Sequence, residues 1–398
     1  MTMLRAPQSK AFSTVIAQQT SLHRTFLQSL NKFLLNFPCA SSRTEPNDPV
    51  MKFSSLQFRV LSVAILCAVV PALHAQTTAT TTPVGFVTVT VPAAADASTP
   101  SSSVLSIPLY AAADYVSTVA TIDSTTQFSL TGAAWTASQF AVSTAPRLVR
   151  IKVSTTVPAN IGRFFLVSAN TTNQLTVILP SGTTNISNVL SVGDSCEIVP
   201  ASTLGSVFGT TTPVVQTGTS SVADNVLIWN GSNWATYYHN GTIWKKGGVI
   251  GSTDFSGTVI YPDEGVFFIR RATSSLPLTM MGTVPSTVER SDLPVQASTL
   301  LSNRFPIDTV LSGTNGLNLQ NVTGWTAGAT SNTADNVFVW NGTNWKTYYY
   351  NGSIWKKTGV IGSTDQGPIT TITAGSAVFI TRIGAATATL SQALPYTP

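Results

Sequence analysis

Charged side chains are scarce: Asp, Glu, Lys and Arg make up 9% of the 398 residues, against roughly one quarter in a typical soluble domain. Long runs of Glu, Lys, Leu and Ala at helical spacing are missing too, so nothing asks for a helical bundle. Thr, Ser, Ala, Val and Gly take the space, and hydrophobic residues reach 43%. β-Branched side chains lose rotamer freedom in a helix and fit a pleated surface. The composition predicts an all-β fold.

Histidine and cysteine are rarer still, with His23, His74 and His239 against Cys39, Cys67 and Cys196. Where the chain begins decides how many of these matter. Met51, Lys52 and Arg59 form a basic start, Val60–Val70 an apolar run, and Pro71-Ala72-Leu73-His74-Ala75 a cleavage region. Residues 51–75 therefore read as a signal peptide, cut near Ala75 to leave an exported chain in the periplasm, on the outer surface or outside the cell. Residues 1–50 read as a non-native extension from an overlong gene model; their basic, Ser-rich, acid-poor character also fits a transit peptide. The apolar run is too short for a membrane span, so no integral span is expected in the mature chain. Cys67 follows Ala64-Ile65-Leu66 rather than a small residue, which argues against lipidation.

Removing the leader changes the charge balance. Seven of the 21 basic and two of the 16 acidic residues lie at or before position 75, so fourteen of each remain. A neutral mature chain lacks the basic surface of a phosphate-backbone binder, and no nucleic-acid partner is expected. Cys196 alone cannot form an internal disulfide. His239 alone cannot supply a Ser-His-Asp triad, a Cys-His pair or a multi-histidine metal site. No Gly-rich phosphate loop is present. The reading is not an enzyme, with no cofactor, no catalytic residue and no metal, and His239 is expected at a solvated strand end.

What the chain has in quantity is repetition. Ala223-Asp224-Asn225-Val226-Leu227-Ile228-Trp229-Asn230-Gly231-Ser232-Asn233-Trp234 returns as Ala334-Asp335-Asn336-Val337-Phe338-Val339-Trp340-Asn341-Gly342-Thr343-Asn344-Trp345. Tyr237-Tyr238-His239-Asn240-Gly241-Thr242-Ile243-Trp244-Lys245-Lys246 returns as Tyr348-Tyr349-Tyr350-Asn351-Gly352-Ser353-Ile354-Trp355-Lys356-Lys357. The offset of 111 runs through Asp254 and Asp365 and is read as continuing to Val266–Ile269 against Ala377–Ile380. Two copies at this spacing indicate a duplicated module rather than a solenoid.

Asn-Gly between apolar runs signals a tight hairpin. Each copy has two, which predicts a three-stranded meander. With Asn230-Gly231 and Asn240-Gly241 as the bends, Trp229 pairs with Ser232, Leu227 with Trp234 and Tyr238 with Ile243. The opposite face carries Ile228, Ala235, Tyr237, His239 and Trp244. Both faces are apolar, so one is expected on the module's own core and the other under its sister copy, a partner or a ligand.

Upstream, Val84–Pro92 alternates as a strand, Ala93–Ser103 reads as a loop, and strands are expected at Leu148–Val153, Arg163–Val167, Leu175–Ile178 and Ser195–Val199. Their spacing suits a small barrel or sandwich. Thr203–Phe208 reads as one helical turn. The domain layout is 76–210 for an N-terminal β domain, 211–300 for the first aromatic repeat and 301–398 for the second.

The candidate ligand-binding set is Trp229, Trp234, Tyr237 and Trp244 with Trp340, Trp345, Tyr348 and Trp355. Flat rings with polar handles suit sugars or protein interfaces, while aromatic cross-strand pairs also stabilise sheets. Carboxylate-only chemistry would have to draw on Asp263-Glu264, Glu289 and Asp292, with Asp224 and Asp335 in the repeats; the first pair reads as solvated turn acids. Asp224 and Asp335 read as turn caps, with calcium as the alternative.

Several of these segments carry a resemblance. The Pro83–Pro92 opening, the run from Gly193-Asp194 through Ile198-Val199-Pro200 to Thr203–Gly209, and the Ala-Asp-Asn-Val, Trp-Asn-Gly and Tyr-Tyr segments resemble a family of uncharacterised secreted β-rich proteins. That family occurs as multiple paralogues in Verrucomicrobia and related bacteria. The resemblance spans 84–398 and implies export and β-rich modularity, with no site carried over. The expectation is a non-catalytic envelope or extracellular protein of structural or adhesive type, its partner a polysaccharide or another envelope protein. The alternatives are a carbohydrate-binding module using exposed Trp and Tyr, and a carboxylate-only glycoside hydrolase.

Overall fold

Strands β1 (Val84–Val91) and β2 (Ser101–Leu105) come first in a computed structural model that describes residues 82–397 apart from 97, 181 and 182. The expected extension 1–50 and signal peptide 51–75 lie outside the described residues. β3 (Tyr115–Ile122), β4 (Gln127–Leu130), β5 (Ala141–Val142), β6 (Ala145–Val153), β7 (Phe164–Asn170), β8 (Gln174–Ile178) and β9 (Ser195–Pro200) follow. Pairing runs β6-β7-β8-β4-β3-β9 and returns to β6, closing six strands into an antiparallel barrel, with β5 hydrogen-bonded beside β6. Closure leaves the ring without free edges.

Alternation fills the barrel. Phe165 and Val167 on β7, Leu175 and Val177 on β8, and Cys196 and Ile198 on β9 all point inward. Burial raises the Cys196 thiol pKa well above its ordinary value. The chain leaves the barrel through a single-turn helix, Leu204–Phe208, where Thr203 and Ser206 form a reciprocal capping box.

The rest of the chain gives β10 (Asn225–Trp229), β11 (Trp234–His239), β12 (Trp244–Lys246), β13 (Val266–Arg270) and β14 (Leu276–Thr283). Then come β15 (Glu289–Leu293), β16 (Ser298–Ser302), β17 (Thr309–Val310), β18 (Asn336–Trp340), β19 (Trp345–Tyr350), β20 (Trp355–Lys357), β21 (Thr371–Ile372), β22 (Ala377–Thr381) and β23 (Ala388–Gln392). The two copies of the aromatic motif lie in two five-stranded sheets of matching order, β12-β11-β10-β13-β2 and β20-β19-β18-β22-β16. Each has a two-stranded companion, β1-β14 and β15-β23.

This topology moves the expected boundaries. β1 and β2 pair with β14 and β13, so residues 84–105 belong with the first aromatic sheet and not with the barrel. β15 and β16 likewise pair with β23 and β22, so 289–302 belongs with the second sheet. The chain starts the first sheet, makes the barrel, and returns to finish it. Ser101-Ser102-Ser103 looked like loop because an edge strand's polar residues carry no alternation signal; only its long-range partner defines it.

The hairpin register also differs from expectation. Trp229 pairs with Trp234 and His239 with Trp244, not with Ser232 or through Tyr238–Ile243. Asn230 Oδ1 accepts from the Ser232 and Asn233 amides at 3.0 and 2.8 Å, and Gly231 adopts φ +94°. The bend therefore sits on Gly231-Ser232, one residue later than expected, with Asn230 as the side chain that closes it. Moving the bend by one residue shifts the pairing by two, which preserves every side chain's face. Ile228, Ala235, Tyr237, His239 and Trp244 do share one face, packed on the first sheet's own core except for the buried imidazole.

Candidate functional site

Each aromatic sheet buries its two faces in different ways. On one face Tyr237 and Trp244 join Val226, Ile228 and Phe268, while Tyr348 and Trp355 join Val337, Leu319 and Ile380 in the second sheet. The Trp244 indole donates to the Gly209 carbonyl at 2.7 Å and that of Trp355 to Gln320 Oε1 at 3.0 Å. These four rings are core, and the two indole N–H groups are satisfied internally.

The other four meet between the sheets. Trp229, Trp234 and Phe267 from the first pack against Trp340, Trp345 and Phe379 from the second, over Val104, Leu300 and Ala377. Trp229 stands edge-on to Phe379 at 5.2 Å and 83°, and Trp340 edge-on to Phe267 at 5.2 Å and 81°. The Trp229 indole donates to the Ser298 carbonyl at 2.8 Å, and the Trp340 indole to the Ser102 carbonyl at 3.1 Å. Each indole thus grips the edge strand of the opposite sheet. Of the three covers expected for the second apolar face, the sister sheet is the one found. The rings remain half-buried along the seam.

The seam also corrects the alignment of the copies. Phe267 and Phe379 play matching parts, and Arg270 matches Arg382, an offset of 112 rather than 111. One residue has entered the second copy between Asp365 and β22. Held at 111, the comparison places Val378 opposite Phe267 and turns the strand's faces inside out.

Asp224 and Asp335 do cap backbone amides, but from buried positions where an arginine takes up each carboxylate. Both are fully buried and ion-paired, Asp224 with Arg270 and Asp335 with Arg382, the latter at 3.3 Å. Backbone amides complete each carboxylate: Gln216 and Arg271 for Asp224 at 2.8 and 2.7 Å, Thr326 and Ile383 for Asp335 at 2.9 and 2.8 Å. The two arginines escaped the sequence reading. The available signal was an arginine at the end of an apolar strand in the first copy and directly after it in the second, since a buried cation demands a partner.

Glu289 lies at the centre of a second closed network. It is fully buried between Arg150 of the barrel and Arg304, and it accepts from the Tyr110 hydroxyl at 2.7 Å. Arg150 also reaches Glu197 at 3.0 Å and lies over the Tyr110 ring at 4.6 Å. Burial pushes the Tyr110 hydroxyl up to about 12. Asp292 is exposed and bridges to Arg163 on the barrel, while the Arg290 guanidinium donates to the Ile161 carbonyl at 2.9 Å. These groups dock the barrel on the second ribbon; Glu289 and Asp292 form no open acid pair.

Asp263 and Glu264 depart from the expected solvated turn. Both are half-buried, and burial followed by the neighbouring Asp263 charge pushes Glu264 up to about 8; burial likewise raises Asp263. His239 departs as well. It is buried, its Nδ1 accepts from the Gly241 amide at 3.1 Å, and its ring meets Trp244 edge-on at 5.7 Å.

The motif's last shared stretch stands free. Val249-Ile250 and Val360-Ile361 form loop tips with both isoleucines fully exposed. Lys245 and Lys356 hold the tips by donating to the Gly251 and Gly362 carbonyls. No helix among the described residues is long and apolar enough to cross a membrane. Comparison with protein-family models, curated proteins and solved structures finds no match.

Proposed function

We propose that this is an exported, non-catalytic β scaffold of the cell envelope or extracellular space, acting in structure or adhesion. The observation that carries the reading is the seam: the duplicated aromatics are spent on cores and on clasping one sheet to the other. A duplicated module that closes on its own copy makes a rigid body, with the two Val-Ile tips left outward as contact points for another envelope molecule. Export rests on the leader at 51–75.

Cell fractionation with N-terminal sequencing tests this directly. A product beginning at Gln76 in an exported fraction supports the proposal, and a full-length chain in the cytosol overturns it. Polysaccharide pull-down that is lost on Trp234→Ala with the fold intact would replace it with a carbohydrate-binding module.

A further inference from the structure

His239 is where the two copies differ in chemistry, because Tyr350 occupies its place in the second. Its Nδ1 accepts the Gly241 N–H at 3.1 Å, so Nε2 carries the ring proton, and Nε2 is buried without a partner. The Nδ1 lone pair is therefore aimed at one backbone nitrogen. That nitrogen follows Asn240, whose side-chain carbonyl is already polarised: Oδ1 accepts from the Thr242 and Ile243 amides, both at 2.9 Å.

We propose that Asn240-Gly241 is a self-modifying site with His239 as its general base. The Gly241 nitrogen attacks Asn240 Cγ while its proton passes to Nδ1. Charge developing on Oδ1 meets the two amides that already point at it, as in an oxyanion hole. The Cγ–Nδ2 bond breaks, and Nδ2 leaves as ammonia with the proton held by His239. One water then opens the five-membered succinimide to aspartate or isoaspartate at position 240. Nothing is oxidised or reduced, and water is the only co-reactant. The reacting groups are neighbours along the chain, so no encounter is needed.

The molecule contains its own controls. Asn230, Asn341 and Asn351 precede glycines in equivalent bends, and each Oδ1 accepts two amides at 2.8–3.1 Å. Their preceding residues are Trp229, Trp340 and Tyr350, none of them a base at the glycine nitrogen. The electrophile and its acceptor geometry are shared by all four; the base belongs to one.

Ageing the full chain in heavy-oxygen water at neutral pH, followed by peptide mapping, reads each site separately. Heavy oxygen should accumulate at 240 about a hundredfold faster than at 351, the low end of what a positioned general base contributes. His239→Gln, which keeps an acceptor but removes the basicity, should bring 240 down to the rate of 351. Tyr350→His, which places a smaller ring beside Gly352, should raise the rate at 351 and decides the matter should the first variant fail to fold. Equal rates at all four asparagines, or no response at 351 to Tyr350→His, would overturn the proposal.

Discussion

The two aromatic sheets share their centres and differ at their margins. Central strands, hairpin bends, buried Asp–Arg pairs and seam tryptophans recur in both sheets, down to edge-on ring pairs at 5.2 Å on both sides. At the margin, the second ribbon meets the barrel through Glu289, Arg290 and Asp292. The first ribbon leaves Val84, Phe86 and Met281 exposed on its outer side. Val87, at the place of Glu289, simply packs into the apolar core. Identity between the copies is thus kept where the sheets hold themselves and each other. It is lost where only one of them has a barrel to hold.

The largest way to break this comparison is Glu289→Ala. It leaves Arg304 buried without a salt-bridge partner and Arg150 with Glu197 alone, and a loss of ~3–5 kcal/mol is expected. Denaturant unfolding measures it, and Val87→Ala, at the matching place, should cost clearly less.

The seam predicts equality instead of contrast. Trp229→Ala and Trp340→Ala should each cost ~2–3 kcal/mol, below the range for fully buried tryptophan because both rings are half-buried. The two unfolding midpoints should agree, and a large difference would show that the clasp is one-sided.

A third prediction concerns pH, because the Asp263-Glu264 pair has Gly375-Ser376 as its counterpart under the 112 offset. The folded state holds the Glu264 proton more tightly than the unfolded state, whose value is near 4.5. Stability should therefore rise as pH falls from about 8 toward 4.5, opposite to a carboxylate that gains from a salt bridge. Thermal melts across that window should show this slope reduced in Glu264→Gln.

The smallest effect sharpens the comparison of the bends. Gly231 and Gly342 have φ of +94° and +95° with open space around a Cβ. Alanine at either should cost ~1–2 kcal/mol from left-handed backbone strain alone, equally in both copies.

Much of this architecture is legible in the sequence. Alternating β-branched residues gave the all-β class and four barrel strands, and Asn-Gly gave the meanders. The face shared by Tyr237, His239 and Trp244 came out correctly although the register was off by two. Pairing partners were not legible. Ser101–Leu105 has too little pattern to announce itself as an edge strand. The one-residue insertion before β22 is invisible until Phe379, rather than Val378, is seen in the seam. The candidate aromatic set was visible, but whether a ring faces core, sister sheet or solvent depends on contacts made over a hundred residues away. Buried ion pairs were hidden for the same reason: Asp224 and Arg270 are local in space and remote in sequence.

The central claim is that the two copies close on each other through their aromatic faces. A double-mutant cycle of Trp229→Ala with Phe379→Ala tests it, read by equilibrium unfolding of the full chain. The account predicts a coupling of ~0.5–1.5 kcal/mol between these rings from different sheets, matched by the Trp340 and Phe267 cycle. Strict additivity in both cycles would contradict it.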